Sequence, residues 1–248
     1  RPEVWTQSHS SSVIYQMFTG LTTILESQFL PSDRSALHFS DMGFLPGTYA
    51  LETAVGLSKR TLHHILWTNR TSTGLDANNE QYGGEGSEIT TREWDSMELE
   101  LFMSVPDASK LSDTDKTTHA IYHYEFLFYY AAITYFKRTL RRCPVEEVQC
   151  FVEQSIEHME LLLRSITGPF SPLMWPIAVL GFEATGISAQ ERITAFLDTL
   201  AERSGLMLWS NLGILVRKFW VIRREKESSN LAWQDFLTEP AGASVMLF

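Results

Sequence analysis

The chain has 248 residues, 44% hydrophobic and 12% aromatic, enough to bury a sizeable core in one large domain or two small ones. Its 30 acidic residues outnumber 20 basic ones, and the net charge of −10 argues against nucleic-acid binding by this segment, because phosphate contacts need a basic face. No apolar run is long enough to span a membrane and no targeting pattern opens the chain, while Cys143 and Cys150 alone make no disulfide framework and read as reduced intracellular thiols.

In chain order, Ser10–Phe29 carries Val13, Ile14, Met17, Phe18, Leu21, Ile24 and Leu25 at the three- and four-residue spacings of an amphipathic helix. A polar loop, 30–46, follows. Gly47–Trp67 repeats the helical pattern through Leu51, Val55, Leu62, Ile65 and Leu66. The stretch 68–91, rich in Asn, Gly, Ser and Thr with Gly83, Gly84 and Gly86, reads as a mobile loop or insertion. Helices are then expected over Arg92–Met103, over Asp115–Arg142 with its aromatic middle, and over Val145–Ile166 after Pro144. Beyond these, Ser188–Arg203 opens on a Ser188/Glu191 capping box and closes at Gly205, Leu206–Glu225 follows, and Ala232–Leu237 is the last helix. No period-two alternation and no hairpin signal appear, so the chain reads as all-α.

The most apolar stretch is Ser171–Ala184. Pro172 suits a first helical position, and Pro176, a turn later, should kink the helix and free a carbonyl. A helix apolar on nearly every side is buried or spans a membrane, and about 14 residues are too few to span. The expected architecture is one helical-bundle-like domain over 1–248, wrapped around a buried central helix at 171–184. Gly181 is the one position in that helix where another backbone could come close.

Catalytic patterns fail one after another. His119 and His123 share a helix face but lack a third ligand, and the adjacent His63 and His64 point about 100° apart. Ser155 stands where a di-iron Glu-x-x-His motif ending at His158 needs its glutamate. Asp113 and Asp115, the nearest approach to a diphosphate-binding acidic motif, fall in a break between helices. Gly83–Gly86 has neither the lysine nor the strand of a phosphate loop. Glu183 reads as a helix-end charge or the partner of an arginine such as Arg192. The chain is not expected to be an enzyme, and no cofactor or metal is expected in it.

Residues 173–184, L-M-W-P-I-A-V-L-G-F-E-A, resemble the core motif of the fungal-specific transcription factor domain, the C-terminal regulatory region of fungal zinc-cluster transcription factors. The surroundings are similar too: Glu191-Arg192 after a short gap, then Trp220, Arg223 and Trp233, with P-x-E-x-V at Pro144–Val148 upstream. The resemblance implies a helical regulatory domain, often a homodimer, acting in the nucleus or shuttling to it from the cytoplasm. It implies zinc only in a separate six-cysteine DNA-binding module, expected upstream of Arg1, with DNA contacted through that module alone. In the family's sterol-sensing branch the domain encloses a sterol.

The aromatic and methionine surplus is compatible with ordinary core packing or with a pocket for a hydrophobic small molecule. If it is a pocket, the expected walls are Phe126, Tyr130, Met174, Trp175, Phe182, Met207 and Trp209. The alternative is an interaction scaffold without a small-molecule site, pairing with a second copy or a coregulator through exposed faces such as Trp209–Trp220.

Overall fold

The computed structural model describes residues 56–79, 87–107, 116–166, 174–226 and 231–238. Among the described residues every regular element is a helix: α1 Lys59–Asn79, α2 Ser87–Met103, α3 Lys116–Thr139, α4 Gln149–Ser165, α5 Met174–Glu183, α6 Ile187–Ser204, α7 Met207–Glu225 and α8 Trp233–Thr238. A 3-10 turn, Val145–Val148, leads into α4. No described helix is long and apolar enough to cross a membrane. The fold is all-α, as its sequence patterning implies. The expected helix at 10–29 and loop at 30–46 lie outside the described residues, as do Gly83, Gly84, Gly86, Asp113 and Asp115.

Two helices sit where all the others can reach them. One is α3, which packs against α1, α2, α4 and α5. The other is α5, in which Trp175 through Glu183 are all buried and which lies against α3, α4 and α7. The expectation of a buried central helix is therefore met over 174–183, while 171–173 fall outside the described residues. Helices α6 and α7 form an antiparallel hairpin closed by Gly205 at φ +66°, a left-handed helix cap that glycine adopts without a Cβ penalty.

Two local expectations are corrected. Residues 68–79 continue α1, and 87–91 open α2, so most of the supposed loop is helical. The polar stretch is held at its base because Thr68 is buried and the Tyr135 hydroxyl donates to Asn69 Oδ1 at 3.4 Å. Pro176 lies in α5 three residues into its described part, and the residues before Met174 lie outside the described residues. Ser188 lies inside α6, whose N-cap is Gly186 with no side-chain cap bond. The N-cap the sequence does supply is Ser58 on α1, whose Oγ accepts from the Thr61 N–H at 3.1 Å.

Gly181 is approached by side chains, not by a second backbone. A Cβ there would meet the two Val216 methyls at 3.6 and 3.7 Å and Ile193 Cγ2 at 3.8 Å, ordinary contact distances. Gly181→Ala is therefore expected to fold normally and to melt at the same temperature or slightly higher, alanine favouring the helix by about 1 kcal/mol. Gly181→Trp would overfill a closed interface, and thermal melting should show it strongly destabilised.

Candidate functional site

The seven candidate pocket residues fall in several places. Phe126 and Tyr130 lie together on the α4-facing side of α3, their rings 5.8 Å apart. Trp175 and Phe182, seven residues apart on α5, belong to an aromatic ladder on the other side of α3. Trp175 stacks on Phe128 at 6.3 Å and meets Tyr135 edge-on. Tyr135 leads to Trp233, which stacks flat on Phe182 at 5.5 Å, and Phe219 meets Phe182 edge-on at 5.4 Å. Trp209 is fully buried, Met174 is half-buried at the core margin, and Met207 is exposed. Trp220 is buried as well, so the exposed side of α7 is not the tryptophan face named from the sequence.

The α4-facing cluster is a run of touching rings. His158 stacks flat on Phe126 at 4.4 Å, Tyr130 meets Phe126 and also Phe151, and Phe151 meets Phe102 of α2 at 6.1 Å. His123 and His158 share a hydrogen bond, Nδ1 to Nδ1 at 3.1 Å, in which one neutral ring donates and the other accepts. Burial pushes both down to about pKa 4, with each helped by a neighbouring histidine, His119 for His123 and His123 for His158. His64 on α1, packed against Met97 with Nδ1 2.8 Å from Sδ, is also pushed to about 4 by burial. Among the described residues no group of three or more His, Cys, Asp or Glu side chains could hold a metal ion.

These three histidines make stability pH-dependent with a definite sign. Their folded pKa lies below the unfolded value of about 6.5, so the unfolded chain binds more protons between the two. Stability should be full above pH 6.5 and fall progressively as the pH drops to about 4. Urea midpoints measured across that window check this, and His123→Phe with His158→Phe should flatten the curve.

The most polar buried point of the described core is the C-terminal end of α5. A helix end leaves carbonyls without intrahelical partners, and here each finds a side chain from elsewhere. Trp220 Nε1 donates to Gly181 O at 2.9 Å, Arg223 Nη1 to Phe182 O at 2.8 Å, Gln149 Nε2 to Glu183 O at 2.9 Å and Gln190 Nε2 to Ala184 O at 3.1 Å. Gln149 also accepts from the Thr185 N–H through Oε1 at 3.1 Å.

The Glu183 carboxylate stands at the negative end of the helix dipole, 1% exposed, which alone would be very unfavourable. Two guanidiniums compensate. Arg223 Nη2 donates to Glu183 Oε2 at 2.8 Å, and Arg138 Nε approaches the same oxygen at 3.1 Å without hydrogen-bond alignment. Arg138 also donates to Cys143 O and, at 3.1 Å, to Leu231 O, while the Arg223 guanidinium carbon lies 4.3 Å from the Phe219 ring centre. Burial lowers the Arg223 pKa, and Glu183 opposes the shift.

Glu183 is thus paired with Arg138 and Arg223, not with Arg192, which bonds Glu160 at 2.6 Å. Held between two cations at 1% exposure, it presents no face to solvent. It ties α3, α5, α7 and the approach to α8 to one point. Residues scattered from 181 to 233 in sequence, Gly181, Glu183, Trp220, Arg223 and Trp233, make one packed and hydrogen-bonded unit.

A sequence profile of the fungal specific transcription factor domain matches residues 6–248. The chain belongs to that family. Neither the curated proteins nor the solved structures compared with it give a match. Membership makes this fungal transcription factor domain a regulatory one, and the family is not one of enzymes. Its action belongs to transcription and hence to the nucleus.

The sequence motif named Glu183, Trp220, Arg223 and Trp233 without their relation. It missed Arg138, Gln149 and Gln190. No signal short of pairing across helices would have found those three.

Proposed function

We propose that the chain is a homodimeric regulatory domain that responds to a hydrophobic small molecule such as a sterol. DNA contact, and the zinc it requires, belong to a cysteine-rich module carried elsewhere in the same factor, in keeping with the acidic charge here. The factor shuttles between cytoplasm and nucleus as the ligand state changes. The observation that carries the reading is the ring surface on the α4-facing side of α3. Tyr130 and His158 are only half-buried there, and the run of rings ends at Phe102, which is exposed. An apolar molecule lying along this edge would cover it and favour whichever conformation closes over it, by its differential affinity for the two states.

Native mass spectrometry of the purified chain, followed by denaturing release, tests this. A dimer that carries a stoichiometric apolar molecule, and loses it on Phe126→Ala with Tyr130→Ala, supports the reading. A dimer with nothing bound, and no binding of added sterols, defeats it. A second reading, a scaffold for coregulators without a small-molecule site, draws on the exposed Leu99, Met103 and Val105 around the end of α2.

A further inference from the structure

We infer that His123 on α3 and His158 on α4 form, through their two Nδ1 atoms, a chelating site for a divalent transition-metal ion such as Zn²⁺. The two nitrogens face each other at 3.1 Å across the interface between the helices. Bonds of about 2.0–2.1 Å, the usual length from an imidazole nitrogen to zinc, drawn from nitrogens so placed would meet at an angle of about 100°. That angle lies between the right angle of a tetragonal site and the tetrahedral angle, so the pair already has the bite of a chelate. The ion takes the place of the proton the rings share. That proton moves to Nε2 of the ring that donated it, so both rings stay neutral.

Sequence alone stops at His119 and His123, one turn apart on α3 and short of ligands. The structure brings the missing nitrogen from another helix, 35 residues on. His119 is close enough to act on the charge of His123. With two protein nitrogens, the ion keeps its remaining positions for water or another small ligand, and His158, only half-buried, leaves them an outlet.

The donor set selects the class of ion. Imidazole nitrogens bind zinc, copper and nickel, whereas Ca²⁺ and Mg²⁺ take oxygen. The rings are already oriented, His158 stacked flat on Phe126 at 4.4 Å and His123 met edge-on by Tyr122 at 5.5 Å. Burial keeps both in the neutral form that ligates a metal. The surrounding charge also suits a cation. Burial pushes the Tyr122 and Tyr130 phenols up, and carboxylates add to it, Glu125 and Asp107 acting on Tyr122 and Glu157 on Tyr130. The inference concerns these two nitrogens and does not depend on a small-molecule ligand.

The probe is ZnCl₂ alone, added to the full chain after treatment with a chelator. Isothermal titration should show one ion taken up per chain, and His123→Phe or His158→Phe should each weaken that uptake at least tenfold with helicity unchanged by circular dichroism. Since either substitution could disturb the ring cluster, the unmutated chain supplies a second readout. Long-range ¹⁵N NMR of the histidine rings should show Zn²⁺ shifting Nδ1 of both His123 and His158, with the proton left on Nε2 of each. Mg²⁺ should leave these signals in place. No uptake of Zn²⁺, uptake unaffected by His158→Phe, shifts confined to the other histidines, or an equal response to Mg²⁺ overturns the inference.

Discussion

Glu183→Leu is expected to destabilise the protein by about 3–5 kcal/mol, the usual consequence of removing one partner from a buried ion cluster. The carboxylate is paired with both Arg138 and Arg223, and it is 1% exposed. Its loss leaves two guanidiniums facing one another in the core, each already tied to backbone carbonyls and unable to turn toward water. For a chain of this size, each kcal/mol moves the melting temperature by about 2–4 °C, so a fall near 10 °C should be seen by calorimetry. Glu183→Gln should cost less, since an amide oxygen can still accept from Arg223. Adding Arg138→Met and Arg223→Met to Glu183→Leu should recover part of the loss by replacing the ion cluster with apolar volume. Recovery should be incomplete, because Arg223 also caps Phe182 O. A melting temperature unchanged by Glu183→Leu would mean that the cluster contributes nothing to the fold.

How much of this was legible beforehand depends on which force sets each feature. Helices α3 to α8 follow from apolar periodicity, and their ends fall within a few residues of expectation because Pro144, Gly205 and similar breakers fix them locally. Composition misled at 68–79, where Thr68 and Asn69 hold a polar stretch helical through contact with α3. Capping chemistry misled at Ser188, which has the right neighbours but lies one residue inside a helix that Gly186 starts. At the site, the motif exposed which residues matter, since Glu183 and Arg223 stand at spacings the family shares. It could not show that they touch, because the pairing depends on where α7 crosses the end of α5. The expected pocket walls lie apart for a related reason: apolar area and residue type carry no direction, while the helix faces sort Phe126 and Trp175 to opposite sides of α3.

Gly56 shows a constraint of the opposite kind, invisible to patterning and severe in three dimensions. Read from sequence, it falls inside a continuous helical stretch, Gly47–Trp67. In the structure 56–58 are not helical and α1 starts at Lys59. Gly56 has φ +66°, a conformation that disfavours a side chain by about 1–2 kcal/mol on its own. Its Cα is also pressed against the α3 backbone: an added Cβ would stand 2.5 Å from Ile121 O and 2.8 Å from Glu125 N. Neither atom can move without shifting α3, the helix against which α1, α2, α4 and α5 all pack. Gly56→Ala should therefore destabilise by about 3 kcal/mol or more, well beyond the conformational term alone. The displacement would lift the buried Leu57 and the Ser58-capped end of α1 away from α3. Hydrogen exchange should then show lost protection at the α1 amides before any change in α6 and α7, together with a lower urea midpoint. An alanine variant with the parent's midpoint and α1 protection would mean that this segment does not sit against α3 as described. Leu57→Ala, which removes the packing and leaves the backbone path intact, should cost about 2–5 kcal/mol.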